Sequence, residues 1–85
     1  MGDSWVLYIL QCSDGTLYTG ITNDLERRLS RHGEGRASRY TRSRLPVQLV
    51  YRESVKGRSQ GLRREFSIKA MSRRQKKSLI SNSGK

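Results

Sequence analysis

Five side chains of this sequence are of types that handle phosphate and protons. Two phenols, Tyr8 and Tyr18, flank a turn; Arg28 and His32 stand four residues apart; and Glu65 is a lone acid in a basic stretch. A guanidinium grips two phosphate oxygens at once, so Arg28 suits the extra negative charge of a pentacovalent phosphorus. His32, the only histidine, is of the side-chain type that can take or give a proton near neutral pH. Each residue also has a plainer reading: the tyrosines as sheet aromatics, Arg28 as a rim residue covering Leu25, His32 as a partner of the helix dipole with Gly33 as C-cap.

The elements that must position these groups are legible in order. Trp5 to Cys12 and Thr16 to Ile21 are aromatic, aliphatic and β-branched, with Ser13-Asp14-Gly15 between them, the pattern of a β-hairpin. A loop of Asp14 and Gly15 alone sets Gln11 opposite Tyr18 and sends the two phenols to opposite faces. A three-residue loop with Gly15 left-handed sets Leu10 opposite Tyr18 and Tyr8 opposite Gly20, so both phenols share a face. The second register is the one expected, with the bare Gly20 leaving room beside Tyr8.

A helix follows, with Asn23 as cap and Glu26 completing a variant capping box. Leu25 and Leu29 form its apolar stripe. At about 100° per residue, Arg28 and His32 fall on the border of that stripe, while Arg27 and Arg31 rotate away. From Gly33 to Arg44 the chain reads as a loop or short irregular helix in which Arg36, Arg39, Arg42 and Arg44 surround Tyr40. That mixture suits backbone phosphates and an unpaired base, or equally a solvated basic loop. Pro46 opens a third strand, Val47 to Tyr51. From Ser59 a helical pattern buries Leu62, Phe66 and Ala70 as its stripe, with Glu65 on the border. Ser72-Arg73-Arg74-Gln75 is a capping box for a last helix to Ile80, with Leu79 and Ile80 packing back and Arg73, Arg74, Lys76 and Lys77 exposed; Ser81 onward reads as a loose tail.

These residues resemble the GIY-YIG nuclease domain. Val6-Leu7-Tyr8 and Tyr18-Thr19-Gly20 stand where that family has Gly-Ile-Tyr and Tyr-Ile-Gly, keeping each tyrosine and the closing glycine, and the likeness continues through Arg28, His32 and Glu65. In detail it is similar to the small single-domain UPF0213-like members, which have a similar Lys/Arg-rich end. The resemblance implies that Tyr8, Tyr18, Arg28 and His32 are catalytic, that His32 helps a tyrosine activate water, and that Glu65 holds one divalent ion, Mg²⁺ or Mn²⁺. It implies a metal-dependent endonuclease that hydrolyses DNA phosphodiesters, in DNA repair or processing. Glu65 has a plainer fate as ion-pair partner of Arg28 or Lys69.

Composition agrees with a polyanion partner. Eighty-five residues allow one domain, with a core over about 4–80, and the expected fold is α/β: a three-stranded, largely antiparallel sheet flanked by helices. Eighteen Lys and Arg against seven Asp and Glu, a net charge of +11, favour nucleic acid: DNA, branched and single-stranded forms included, with RNA left open. Arg36, Arg39, Tyr40, Arg42, Arg44, Lys69, Arg73 and Arg74 are the residues expected to bind it. Lone Cys12 excludes an intramolecular disulfide and fits a reducing cytoplasm. The start, Met1-Gly2-Asp3-Ser4, lacks a basic flank, and the run Trp5 to Leu10 is too short for a signal peptide or membrane span. A non-catalytic nucleic-acid-binding module of the same fold, or a basic ribosome-associated protein, also meets the charge pattern. Oligomeric state is not legible, and targeting by a partner protein is compatible with so small a chain.

Overall fold

The computed structural model describes residues 4–83. The readings made on the first three residues and on the tail beyond Ser83 lie outside them. The architecture is α/β, with a three-stranded antiparallel sheet of β1 (Trp5–Gln11), β2 (Leu17–Thr22) and β3 (Gln48–Val55) in the order β2-β1-β3. Helices α1 (Leu25–Gly33) and α2 (Arg39–Arg42) follow β2; α3 (Arg58–Lys69) and α4 (Arg73–Ser83) follow β3.

Strand alternation divides the sheet into two faces with different tasks. Leu7 and Ile9 of the central strand point to one face, where they form the core with Tyr51 and Ile68, joined by Ile21, Val55, Met71, Leu79 and Ile80. Helices α3 and α4 therefore cover that face. Gly61 lets α3 come close: a Cβ there would stand 3.3 Å from side-chain carbons of both Ile21 and Val55. Tyr8 points to the other face, toward α1. A bulge between Ile9 and Leu10 in the pairing with β3 interrupts the register, opposing Leu10 to Leu49 and Ile9 to Tyr51.

Four details depart from the sequence reading. The third strand runs on to Val55, pairing Glu53, Ser54 and Val55 with Leu7, Val6 and Trp5, and Glu53 is held beneath α3 by two bonds from Arg64, at 2.8 and 3.2 Å, and by the Tyr51 hydroxyl. Burial disfavours the charged Glu53 carboxylate, but the Arg64 and Tyr51 hydrogen bonds outweigh it and hold the acid below its usual range. The expected stripe of α3 is on the wrong side: Phe66 is 77% exposed and Leu62 40%, while Gly61 and Ile68 are buried. Helix α4 continues past Ile80 to Ser83, so the loose tail does not begin at Ser81, and Lys76 is half-buried. Helix α1 runs through Gly33, which is its last helical residue and not its C-cap; the C-cap is Glu34, and the left-handed glycine is Gly35. The capping box of α4 forms as read: Gln75 N donates to Ser72 Oγ at 3.1 Å, and Ser72 N donates to the Gln75 side chain at 2.9 Å.

Candidate functional site

The hairpin takes the three-residue loop. Cys12 N donates to Thr16 O, Gly15 has a φ of 85°, Tyr8 stands opposite Gly20 and Leu10 opposite Tyr18. Both phenols thus share the face that α1 covers. The Tyr8 ring crosses directly over Gly20, where a Cβ would lie 2.6 Å from the phenol oxygen. No other residue type leaves that path open.

Helix α1 brings the next two groups. Its cap is Asp24 rather than Asn23: the Asp24 carboxylate accepts from Arg27 N at 3.2 Å, and Thr22 Oγ1 accepts from Asp24 N at 3.0 Å. The shift by one residue leaves the inward face unchanged, since that face is set by the rest of the helix. His32 is fully buried and Arg28 half-buried, while Arg27 and Arg31 are exposed. His32 Nε2 lies 3.0 Å from the Tyr8 hydroxyl, and Nδ1 lies 2.9 Å from Thr41 Oγ1. Thr41 Oγ1 donates in turn to Ser38 O at 3.4 Å. A threonine proton directed at that carbonyl favours the tautomer with the imidazole proton on Nδ1, which leaves Nε2 to accept from Tyr8.

The charge states follow from burial. Desolvation, followed by the positive charge of Arg28, pushes His32 below its ordinary 6.5, so the ring is neutral at neutral pH. Burial pushes the Tyr8 phenol far above its ordinary 10.0, with Tyr18 adding to the rise, Arg28 opposing it and Glu65 raising it further. Arg28 and Glu65 are therefore both near enough to Tyr8 to act on its charge, although they belong to helices on opposite faces of the sheet.

Tyr18 is half-buried in the same cluster, its ring 6.5 Å from Tyr8, 5.3 Å from His32 and stacked at 6.0 Å on Tyr40. The Arg44 guanidinium covers the other partner, lying 4.0 Å from the Tyr40 ring centre, and is held by Asp14 at 3.0 Å and by Tyr40 O at 2.8 Å. Two residues expected at the nucleic-acid surface thus also brace the hairpin turn against α2. Arg39, Arg42 and Arg74 are exposed, as is Arg36 beside Glu34. Arg73 is exposed as well but donates to Gly15 O at 2.9 Å, tying α4 to the same turn.

Glu65 side chain is 18% exposed, and Lys69 holds its Oε2 at 3.0 Å. This is the ion pair expected of a lone glutamate, formed with Lys69 and not with Arg28. Among the described residues no hydrogen bond occupies Oε1, and no group of three or more His, Cys, Asp or Glu converges anywhere. A closed protein cage is thus not available among them. One carboxylate with a free oxygen does fit Mg²⁺ or Mn²⁺, which takes a carboxylate or two, keeps several waters and shares phosphate oxygens.

Thr41 is the residue that sequence reading missed. Nothing distinguishes it among the arginines of 36–44 except its position three residues after Ser38, the cap of α2, whose Oγ accepts from Tyr40 N at 3.1 Å. Its burial is a consequence of where α2 lands on α1.

Comparison with known proteins agrees with this arrangement. Residues 4–78 match the model of the GIY-YIG catalytic domain. The chain is 49% identical to the UPF0213 protein DP2720 of Desulfotalea psychrophila, over 96% of this chain and 76% of that one, and 47% identical to the UPF0213 protein SSP2268 of Staphylococcus saprophyticus, over 93% and 96%. The solution structure of the UPF0213 protein BH0048 from Bacillus halodurans superposes with a TM-score of 0.63 at 40% identity, covering 95% of this chain and 86% of that one. The protein EF2693 from E. faecalis gives 0.65 at 30% identity, covering 99% and 91%. Among the described residues no helix is long and apolar enough to cross a membrane, and Cys12 is a buried free thiol. With its sheet, hairpin register and family match in agreement, this chain belongs to the GIY-YIG catalytic domain family.

Proposed function

We propose that this protein is a divalent-metal-dependent endonuclease that hydrolyses phosphodiester bonds in DNA, in a repair or processing role. The observation that carries this reading is the bond from Tyr8 to a neutral His32, at a point where Arg28 and Glu65 both act on the phenol. A buried phenol is a poor base by itself. Coupled to an imidazole that can take its proton, it becomes a competent one.

In this reading Arg28 binds two oxygens of the scissile phosphate and stabilises the charge that grows as water attacks. The water oxygen bonds to phosphorus while one P–O ester bond breaks, its electron pair leaving on the sugar oxygen, which takes a proton from solvent. The water proton passes to the Tyr8 oxygen as the Tyr8 proton moves to His32 Nε2, and Thr41 keeps the imidazole in the accepting tautomer. Tyr18, wedged between Tyr8, His32 and Tyr40, packs the phenol in place. Glu65 Oε1 is the atom offered to a single Mg²⁺ or Mn²⁺, which when bound supplies Lewis-acid charge on the phosphate. Membership of a catalytic-domain family supports this reading over a non-catalytic binding module.

The test is nicking of plasmid, single-stranded and branched DNA with Mg²⁺ or Mn²⁺, comparing wild type with Glu65→Gln and Arg28→Ala. Cleavage by wild type and loss of cleavage with retained DNA binding in Glu65→Gln are the expected results. Binding without cleavage of any substrate by the wild type favours the binding module instead.

A further inference from the structure

Arg27 and Arg31, the arginines that rotate away from the apolar stripe, are exposed, and they are not scattered over the surface. They line a cleft of about 300 Å³ together with Arg28, Arg36, Asp24 and Ala37. Four guanidiniums face one carboxylate in that lining, and the carboxylate is turned onto the Arg27 amide as helix cap. The lone carboxylate is thereby engaged with the helix backbone, and the charged groups that the cleft offers a ligand are guanidiniums.

The fold builds the cleft. Gly35, with a φ of 77°, reverses the chain after α1, and the backbone then returns along the last turn: Gly35 N donates to His32 O at 3.0 Å and Arg36 N to Arg31 O at 2.8 Å. This return sets Arg36 across from Arg31. Arg27 and Arg31 repeat on one side of α1 at a rise of about 6 Å. Among the described residues neither they nor Arg28 forms an ion pair, and Arg36 meets Glu34 only at 4.0 Å, both side chains being exposed. Positive charge gathered on one surface without internal neutralisation attracts an anion.

Arg28 belongs to both places. It lines the cleft and also acts on the charge of Tyr8 and His32. We infer that the cleft is a second phosphate subsite, holding the sugar–phosphate backbone next to the scissile linkage, with Arg28 shared between the two phosphates. Its position beside the scissile linkage rests on the nuclease reading; the binding itself does not. The strand would then run along α1, with Arg27, Arg31 and Arg36 fixing register without reading sequence.

The experiment uses full-length Glu65→Gln protein and a fluorescent oligonucleotide carrying one neutral methylphosphonate linkage, moved along the strand position by position. Arg27→Ala and Arg31→Ala in that background are expected to weaken binding by roughly fivefold to tenfold at low salt and to lower the salt slope by about one each. Their loss should vanish when the neutral linkage sits at one or two positions beside the cleavage site mapped with the wild type. Unchanged slopes, or a loss that persists whatever linkage is neutral, would overturn the inference. So would a loss seen with a 5′-phosphorylated end and absent with a 5′-hydroxyl, which would make the cleft a reader of strand ends. If contacts map but the wild type cuts nothing, the nuclease reading fails while the subsite stands; if it cuts and the contacts map far from the cut, the subsite assignment fails alone.

Discussion

Tyr8 reaches His32 only because Gly20 has no side chain. The phenol passes within 2.6 Å of where a Cβ would stand and ends 3.0 Å from Nε2 of the buried imidazole. A glycine that looks like a strand weakness is in this way the floor of the candidate site.

Gly20→Ala should therefore cost activity more than fold. Relief of the clash moves the phenol by about 1 Å or more, a displacement that lowers turnover by roughly a hundredfold. Overpacking should lower stability by about 1–3 kcal/mol. Cleavage rate and a urea melt on the same preparation separate the two effects. Turnover within a fewfold of wild type would show that the Tyr8 position is not needed.

Thr41 orients the imidazole without touching substrate, so its hydroxyl matters and its methyl does not. Thr41→Ser should retain turnover within a few-fold, whereas Thr41→Val should lower it by roughly tenfold to a hundredfold with KM little changed. The imidazole NMR signals of the two variants report whether the Nδ1–H tautomer is kept. An equal loss in both variants would point to packing rather than orientation.

Acid should inactivate the protein, and begin to destabilise it, through His32. Folding lowers the His32 pKa below 6.5, so the unfolded chain binds the extra proton first; the stabilising contribution is complete above pH 6.5 and is lost as pH falls through the folded value. The kcat/KM profile should likewise be flat through neutrality with an acid limb centred below 6.5, and Tyr8, shifted upward, should add no alkaline limb below pH 10. An acid limb centred above 6.5 would contradict a buried neutral imidazole.

On α3, Ile68→Ala should destabilise by about 2–5 kcal/mol because a fully buried side chain leaves a cavity. Phe66→Ala, two residues away and 77% exposed, should change stability by no more than about 0.5 kcal/mol. Thermal melts of both variants test which face of the helix is the packed one.

Arg64→Ala should cost about 1–3 kcal/mol, since it strands the Glu53 carboxylate beneath α3. The double variant Glu53→Ala, Arg64→Ala should be less destabilised than the sum of the two single ones. Additive losses would mean that the pair does not couple in solution.

What could be read from the residues in order was set by short-range rules. Turn chemistry at Ser13-Asp14-Gly15 and strand alternation place Tyr8 against Gly20; helical rotation selects Arg28 and His32 over Arg27 and Arg31; the Ser72/Gln75 box starts α4. Each depends on neighbours a few positions away, and the family likeness added the chemistry expected of those positions. Tertiary contact decided the rest. Helix α3 carries Leu62 and Phe66 on one side and Ile68 on another, so periodicity alone had two apolar faces to choose from. The sheet chose the side where Gly61 permits close approach. Thr41 became the partner of His32, Glu53 that of Arg64, and four arginines came to line one cleft, because chain segments distant in sequence were brought together, which no local pattern encodes.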